Sequence, residues 1–227
     1  MDDIKQKVKA IIFDMDGTII KTESAWRSAN IELLRRKGFS EQQVHETFLE
    51  SLSGMGLLNA VTAIKDQFGL TESVENLIVE KKEIANVFLS QSIDFVEGFQ
   101  MFHKKLQHNN IPTSIATNSS LENLTVLIKQ MNFNDFFGDK MYCVDHVGNK
   151  AKPDPALFLH AADKLGVHPA DCIVFEDSLY GFQAANAAGM KCIAIRTPIN
   201  KEHLSHVHYA ISSYHEAEAA LASVIKK

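Results

Sequence analysis

The sequence predicts an α/β fold: a doubly wound, Rossmann-like parallel sheet with an all-helical segment inserted just after its first strand. Three observations carry that expectation. Short apolar runs recur along the chain without polar–apolar alternation, as strands covered on both faces do. Capped apolar stripes with helical spacing lie between those runs. One stretch, from about residue 22 to 91, carries helix signals and no strand signal, and it is too long for an ordinary strand-to-helix connection.

Taken in order, Val8 to Phe13 is the first strand, and the polar Asp14-Met15-Asp16-Gly17 follows at its end. In the helical stretch, Trp26, Leu33 and Leu34 share a helix closed by Gly38. Ser40 and Gln43 have capping-box spacing for the next helix. Val74, Leu77, Ile78, Ile84, Ala85 and Phe88 form the stripe of a third, long helix. Strands resume at Thr113 to Thr117 and Met141 to Val144, with Phe136-Phe137 covering a helix end between them. Asp154 reads as an N-cap with Pro155 at the first helical position; Phe158, Leu159, Ala162 and Leu165 form the stripe, and Gly166 stops it. Cys172 to Phe175 is the next strand, followed by a helix with Leu179, Phe182 and Ala185 that ends at Gly189. Cys192 to Ile195 and a weaker His208 to Ile211 complete the strands. Ser213 with Glu216 is a capping box before a last helix carrying Ala217, Ala220, Leu221 and Val224. The expected division is a core of residues 1–20 and 93–227 and a helical cap of residues 21–92.

Composition bounds the function. The chain has 227 residues and a mass of 25.3 kDa. A chain of this mass buries about 70% of its unfolded surface, leaving roughly 10,000 Å² exposed, enough core without disulfides or a structural metal. The formal net charge is −5, which argues against a nucleic-acid partner. The longest uncharged apolar-leaning run, Ser51 to Ile64, is too short and too polar to span a membrane. The N-terminal apolar run stops at Asp14, unlike a secretory signal. Three cysteines, an odd number, suggest a reducing cytoplasm, and Cys172 and Cys192 read as small core hydrophobes. The expected assembly is a monomer or weak homodimer.

The polar residues gather where open α/β sheets bind ligands, beyond the carboxyl ends of strands. Asp14 and Asp16 follow the first strand; Thr117, Asn118 and Ser119 follow the second; Lys152-Pro153-Asp154 heads a helix after the third; Glu176 and Asp177 follow the fourth. Four carboxylates in one place repel unless a cation joins them. A hard divalent ion with oxygen ligands, most simply Mg²⁺, resolves this. The lysine and the loop amides then suit a phosphate. A calcium loop opening with Asp14-Met15-Asp16-Gly17 is excluded, because its twelfth position is Ala25 rather than glutamate.

Asp14-Met15-Asp16-Gly17-Thr18, Thr117-Asn118, Lys152-Pro153-Asp154 and Phe175-Glu176-Asp177-Ser178 resemble the four motifs of the haloacid dehalogenase superfamily. The resemblance is to its phosphatases and β-phosphoglucomutases with a helical cap after the first motif. It covers nearly the whole chain, including Gly181, Ala184, Ala188 and Gly189. It implies that Asp14 is the nucleophile and becomes an aspartyl phosphate. It implies that Asp16 protonates the leaving oxygen and later deprotonates water. Thr117 and Lys152 would hold the phosphoryl oxygens. Mg²⁺ would be held by Asp14, the backbone carbonyl of Asp16 and Asp177, with Glu176 in or near the shell. The expected partner is a small phosphorylated metabolite, with a sugar phosphate as one candidate.

The cap departs from its relatives. Thr22 and Glu23 match the family pattern and, with Asn118, are expected to face the substrate, but Lys21 replaces an acidic residue. Lys21 reads either as a solvated hinge residue or as an extra grip on an anionic substrate. Trp26 stands where the mutases carry a histidine, and core packing on its helix is the expectation for it. The mutases' Lys-Gly-x-x-Arg pattern corresponds here to Ser53-Gly54-Met55-Gly56-Leu57, without either base. That favours a phosphatase over a mutase and implies a more apolar distal wall. A catalytically silent phosphate-binding protein is the third reading. His203, His206 and His208 are expected on a surface loop rather than around a metal.

Overall fold

The computed structural model describes residues 7–226. Its elements run β1 (Ala10–Phe13), α1 (Glu23–Arg36), α2 (Glu46–Ser51), α3 (Leu57–Phe68), α4 (Val74–Leu89), α5 (Phe99–His108), β2 (Thr113–Thr117), α6 (Leu121–Gln130), α7 (Asn134–Phe137), β3 (Met141–Cys143), α8 (Ala156–Leu165), β4 (Cys172–Glu176), α9 (Leu179–Ala187), β5 (Lys191–Ile195), β6 (Tyr209–Ile211) and α10 (Ala217–Val224). The described strands form one parallel sheet of order β3-β2-β1-β4-β5-β6. The exposed surface, 10565 Å², is close to what the mass demands.

The absence of alternation in the strands has its reason in the layering. Successive side chains of a strand point to opposite faces. Ile11 and Phe13 join the hydrophobic cluster on one side, with Phe99, Phe102, Leu124 and Leu221. Ala10 and Ile12 join the cluster on the other, with Leu157, Phe158, Phe182 and Ala185. Both faces are dry, so both need apolar residues. On the first side Phe13 stacks on Phe175 at 5.3 Å between ring centroids, and Phe99 meets it edge-on at 5.6 Å. Buried His103 belongs to this aromatic group, 4.7 Å from the Phe137 ring. Phe137 is buried and Phe136 packs against the same cluster, as the sequence suggested.

Helices α1 to α4 carry a third cluster of their own, built on Ala29, Leu33, Leu34, Val61, Ile64, Leu77, Ile84 and Leu89. No strand interrupts them among the described residues. The caps are local: the Ser73 hydroxyl accepts from the Asn76 N–H at 3.2 Å, opening α4. Gly69, with φ +61°, ends α3 in the left-handed conformation.

Several details differ from the sequence expectations. The first strand begins at Ala10 rather than Val8, and the last at Tyr209 rather than His208. Asp154 caps from one residue further out: Pro155 holds the N-cap position, and the Asp154 carboxylate accepts from the Ala156 N–H at 2.9 Å. Leu159 faces solvent, and Leu157 and Ala161 take the core positions instead. Gln43 reaches back to the Ser40 N–H at 2.8 Å but closes a single-turn helix, Glu41–Gln43, rather than α2. Glu216 accepts from Ser212 rather than Ser213, because a single turn, Tyr214–Glu216, precedes α10. The three cysteines are buried and unpaired. Burial pushes the Cys143 and Cys172 thiols up to about 11, and Cys192 well above the usual thiol value.

Candidate active site

Sheet register brings the polar residues together. Phe13 lies level with Ile115 on one side and Phe175 on the other. Asp14 and Glu176 are therefore the next residues on adjacent strands, and the Asp14 N–H donates to the Phe175 carbonyl at 2.9 Å. Thr117 ends β2 beside them.

The Lys152 ammonium, buried to 2% exposure, donates to Asp14 Oδ1 at 2.5 Å and to Glu176 Oε2 at 2.7 Å. It also lies 4.7 Å from the Phe158 ring centroid. Burial disfavours the ammonium, but Asp14 and Glu176 outweigh that and hold its pKa above the usual lysine value. Glu176 is fully committed. Its other oxygen, Oε1, accepts from the Asp177 N–H at 2.9 Å and from the Ser178 N–H and hydroxyl, both at 3.0 Å. Gly181 permits this: a Cβ there would stand 1.8 Å from Glu176 Oε2.

Asp14, Glu176 and Asp177 each offer a carboxylate oxygen within 4.8 Å of the others, all buried. Burial and the Glu176 charge push the Asp14 carboxyl well up, against the pull of Lys152. Burial, Glu176 and Asp14 push Asp177 up likewise. Three carboxylates against one ammonium leave an anionic, oxygen-only donor set that fits a hard dication. Gly17, with φ +76°, lets the loop after β1 close on it; a Cβ there would meet Asp177 Oδ2 at 2.2 Å. Glu176, with both oxygens occupied, acts more as the anchor of Lys152 than as a free ligand. The Asp16 carboxylate is not among the three, so only its backbone carbonyl could serve the metal role expected of it.

Four donors surround the Asp16 side chain instead. Thr22 Oγ1 (2.7 Å) and Trp26 Nε1 (2.9 Å) donate to Oδ1. Ser119 Oγ (2.9 Å) and Thr117 Oγ1 (3.4 Å) donate to Oδ2. Thr22 holds the N-cap position of α1 but turns its hydroxyl to Asp16 rather than to the helix. Trp26 packs as expected, its ring against the helical cluster, and in addition its indole N–H reaches the site. Sequence reasoning had a signal here, the substitution at a position where relatives carry another polar ring. Ser119 was visible at the strand end without a role.

A cavity of about 240 Å³ opens over these groups, lined by Asp14, Asp16, Thr117, Asn118 and Lys152 from below and by the helical insertion from above. Asn118 joins the two bodies: its Nδ2 donates to the Gly54 carbonyl at 2.9 Å, and its Oδ1 accepts from the Lys152 N–H at 2.8 Å. Gly54 and Gly56 make the approach close, since a Cβ would stand 2.4 Å from Ser178 Cβ and 2.6 Å from Ala151 Cβ. Glu23 lines the cavity. Lys21 is exposed and does not line it; its N–H donates to the Asp94 carbonyl at 2.9 Å. His203 and His206 lie in a surface turn, and the His208 ring accepts from the Cys192 N–H at 3.2 Å. The distal wall is largely apolar, as expected, with Leu49, Leu52 and Met55 on it, and Arg27, Asn30 and the buried Lys81 add polar groups there.

The haloacid dehalogenase-like hydrolase family model matches residues 11–195, a span that contains every residue placed at the site. The chain is 31% identical over 191 residues to the fructose-1-phosphate phosphatase YqaB of Escherichia coli, covering 84% of this chain and 98% of that one. It is 26% identical over 186 residues to the 6-phosphogluconate phosphatase of the same organism, covering 82% and 81%. A family IA hydrolase of Entamoeba histolytica superposes with a TM-score of 0.85 at 28% identity, covering 97% of this chain and all of that one. The match runs through both the sheet and the helical insertion, and on this evidence the chain belongs to the haloacid dehalogenase-like hydrolase family.

Proposed function

We propose that this protein is a Mg²⁺-dependent phosphatase of small phosphorylated metabolites, sugar phosphates among them. The observation that carries the reading is the buried Asp14–Lys152–Glu176 chain beside the ring of donors around Asp16. Phosphoryl transfer asks for an in-line nucleophile, fixed positive charge and a proton donor. The named relatives hydrolyse phosphorylated sugars or sugar acids, which supports the substrate class. The cavity, about 240 Å³, is below the roughly 300–1,000 Å³ of pockets for drug-sized ligands, so it suits a small ester.

In the proposed sequence, an Asp14 oxygen attacks phosphorus and the ester P–O bond breaks. Asp16, in its protonated form, gives its proton to the departing oxygen. Lys152 and Thr117 hold phosphoryl oxygens, as donors fixed before the reaction begins. Water then attacks phosphorus, Asp16 takes its proton, and the bond to Asp14 breaks to release phosphate. Mg²⁺, held by Asp14, Asp177 and the Asp16 carbonyl, would neutralise charge on the transferring group. Thr22 and Ser119 act by orienting Asp16.

A mutase of the β-phosphoglucomutase type shares these core residues. The Ser53–Leu57 segment supports the phosphatase reading, because it carries no base for a second phosphate. A panel of phosphate esters tests the proposal. Wild-type protein should release inorganic phosphate, and Asp14→Asn should abolish release while leaving the melting profile cooperative. Interconversion of sugar phosphates without phosphate release would establish the mutase, and binding without turnover would establish the silent alternative.

A further inference from the structure

One buried side chain outside the four motifs is tied to the carboxylate cluster. Asn200 is 2% exposed and stands at the N-cap position of a 3₁₀ helix, Lys201–His206, yet its side chain makes no cap hydrogen bond there. It reaches back instead. Its Nδ2 donates to the Asp177 carbonyl and to the Ile195 carbonyl, both at 2.7 Å, and its Oδ1 accepts from the Thr197 N–H at 3.1 Å. Both amide protons are thereby spent on backbone carbonyls, one at the end of β5 and one 23 residues back in the chain. The Asp177 backbone is held on both sides, because its own N–H donates to Glu176 Oε1 at 2.9 Å.

We propose that Asn200 is a positioning residue: by fixing the Asp177 carbonyl, it holds the Asp177 carboxylate where a dication can join it to Asp14. The inference rests on the Mg²⁺ reading and adds a residue to it. Oxygens of Asp14, Glu176 and Asp177 lie within 4.8 Å of one another, and like charges that close repel. Lys152 steadies Asp14 and Glu176. Asp177 has no such cation; among the described residues its side chain receives a single hydrogen bond, from Thr18 Oγ1 at 3.2 Å. Its aim therefore depends on the backbone that carries it. Without Asn200 the Asp177 carbonyl loses its donor and the residue can turn away from its neighbours, so that binding a metal must first order it again. An asparagine that only closed the 197–200 turn would need Thr197 alone, whose hydroxyl also accepts from the Asn200 N–H at 3.3 Å; the bond to Asp177 has no part in that.

The test is calorimetric titration of wild-type, Asn200→Ala and Thr197→Ala protein with Mg²⁺ alone, without substrate. Asn200→Ala should weaken Mg²⁺ binding by roughly 10- to 100-fold, the range for loss of a partner that orients a metal ligand. Thr197→Ala loosens the turn without touching the Asp177 carbonyl and should stay within about twofold of wild type. Aryl phosphate turnover gives a second reading: the Mg²⁺ concentration for half-maximal rate should rise with the affinity loss, while at saturating Mg²⁺ kcat and the KM for the ester return to within about threefold of wild type. Asn200→Ser repeats the comparison if the alanine variant is insoluble. In the native protein, the Asn200 side-chain amide signals in a nitrogen-15 spectrum should shift with the midpoint that calorimetry gives. Unchanged Mg²⁺ affinity in the Asn200 variants, an equal loss in Thr197→Ala, a fall in kcat that Mg²⁺ does not restore, or amide signals indifferent to Mg²⁺ would overturn the assignment. Wild-type protein that binds no Mg²⁺ would remove the metal reading itself, and the positioning role with it.

Discussion

Replacing Trp26 by phenylalanine removes one N–H from the Asp16 carboxylate and keeps most of the ring that packs on the insertion. An N–H donated to a carboxylate contributes about 1.5–3 kcal/mol. Thr22 remains on the same oxygen at 2.7 Å and Ser119 on the other at 2.9 Å, so the low end applies. A loss of about 1.5 kcal/mol of transition-state alignment is roughly tenfold in rate. The loss should fall on kcat for an alkyl phosphate, whose leaving oxygen needs a proton. An aryl phosphate leaves without much help and should keep its rate within about twofold. The assay is steady-state turnover of both esters with matched circular-dichroism melts. Equal losses on both esters would show that Trp26 shapes the cavity rather than aligning Asp16, and an unchanged alkyl ester rate would show that Thr22 and Ser119 suffice.

Other expectations follow from the same geometry. Lys152→Met strips the ammonium from two buried carboxylates and should lower turnover by roughly 10²–10³-fold, as loss of a preorganised donor does; Lys152→Arg should not restore it, because a planar fork cannot occupy the place of a point ammonium. Chelation should stop phosphate release, and Mg²⁺ should restore it better than Ca²⁺, which takes more oxygens at longer range; full activity in excess chelator would refute the metal assignment. His103 is wholly buried among aromatic rings, and burial lowers its pKa to about 4. The unfolded chain therefore takes up a proton that the folded chain refuses between about pH 6.5 and 4, so stability is full above that window and falls on acidification. The shift amounts to roughly 2–3 kcal/mol by pH 4.5, and His103→Gln should flatten the pH dependence of the melting midpoint by about that much.

The sheet and the core motifs were legible because their causes are local. Strands buried on both faces need continuous apolar runs, and a polar residue directly after each run falls at the ligand edge. The less legible features depend on distance in the chain. Lys81 sits in the apolar stripe of α4, where charge alone marks it as an exception, and nothing near it in sequence says that the stripe borders a cavity. Leu159 faces solvent because the buried side of α8 runs through Leu157, Phe158, Ala161 and Ala162, one residue ahead of the stripe that the sequence predicts. Asn118 is legible as a residue of the ligand edge, where it lines the cavity, but its partnership with Gly54 spans 64 residues and exists only once the insertion is seated.

The buried, unpaired thiols make the protein its own probe of opening. Cys143 lies on β3 at the edge of the sheet, and Cys172 and Cys192 lie on β4 and β5 inside it. A maleimide can modify them only in molecules where the surrounding structure has parted, and the raised thiol pKa values slow it further until then. Labelling rates read residue by residue in a mass spectrometer would therefore separate fraying at the edge strand from rupture of the sheet's interior. Because the native chain contains only these three cysteines, that measurement requires no engineered substitution.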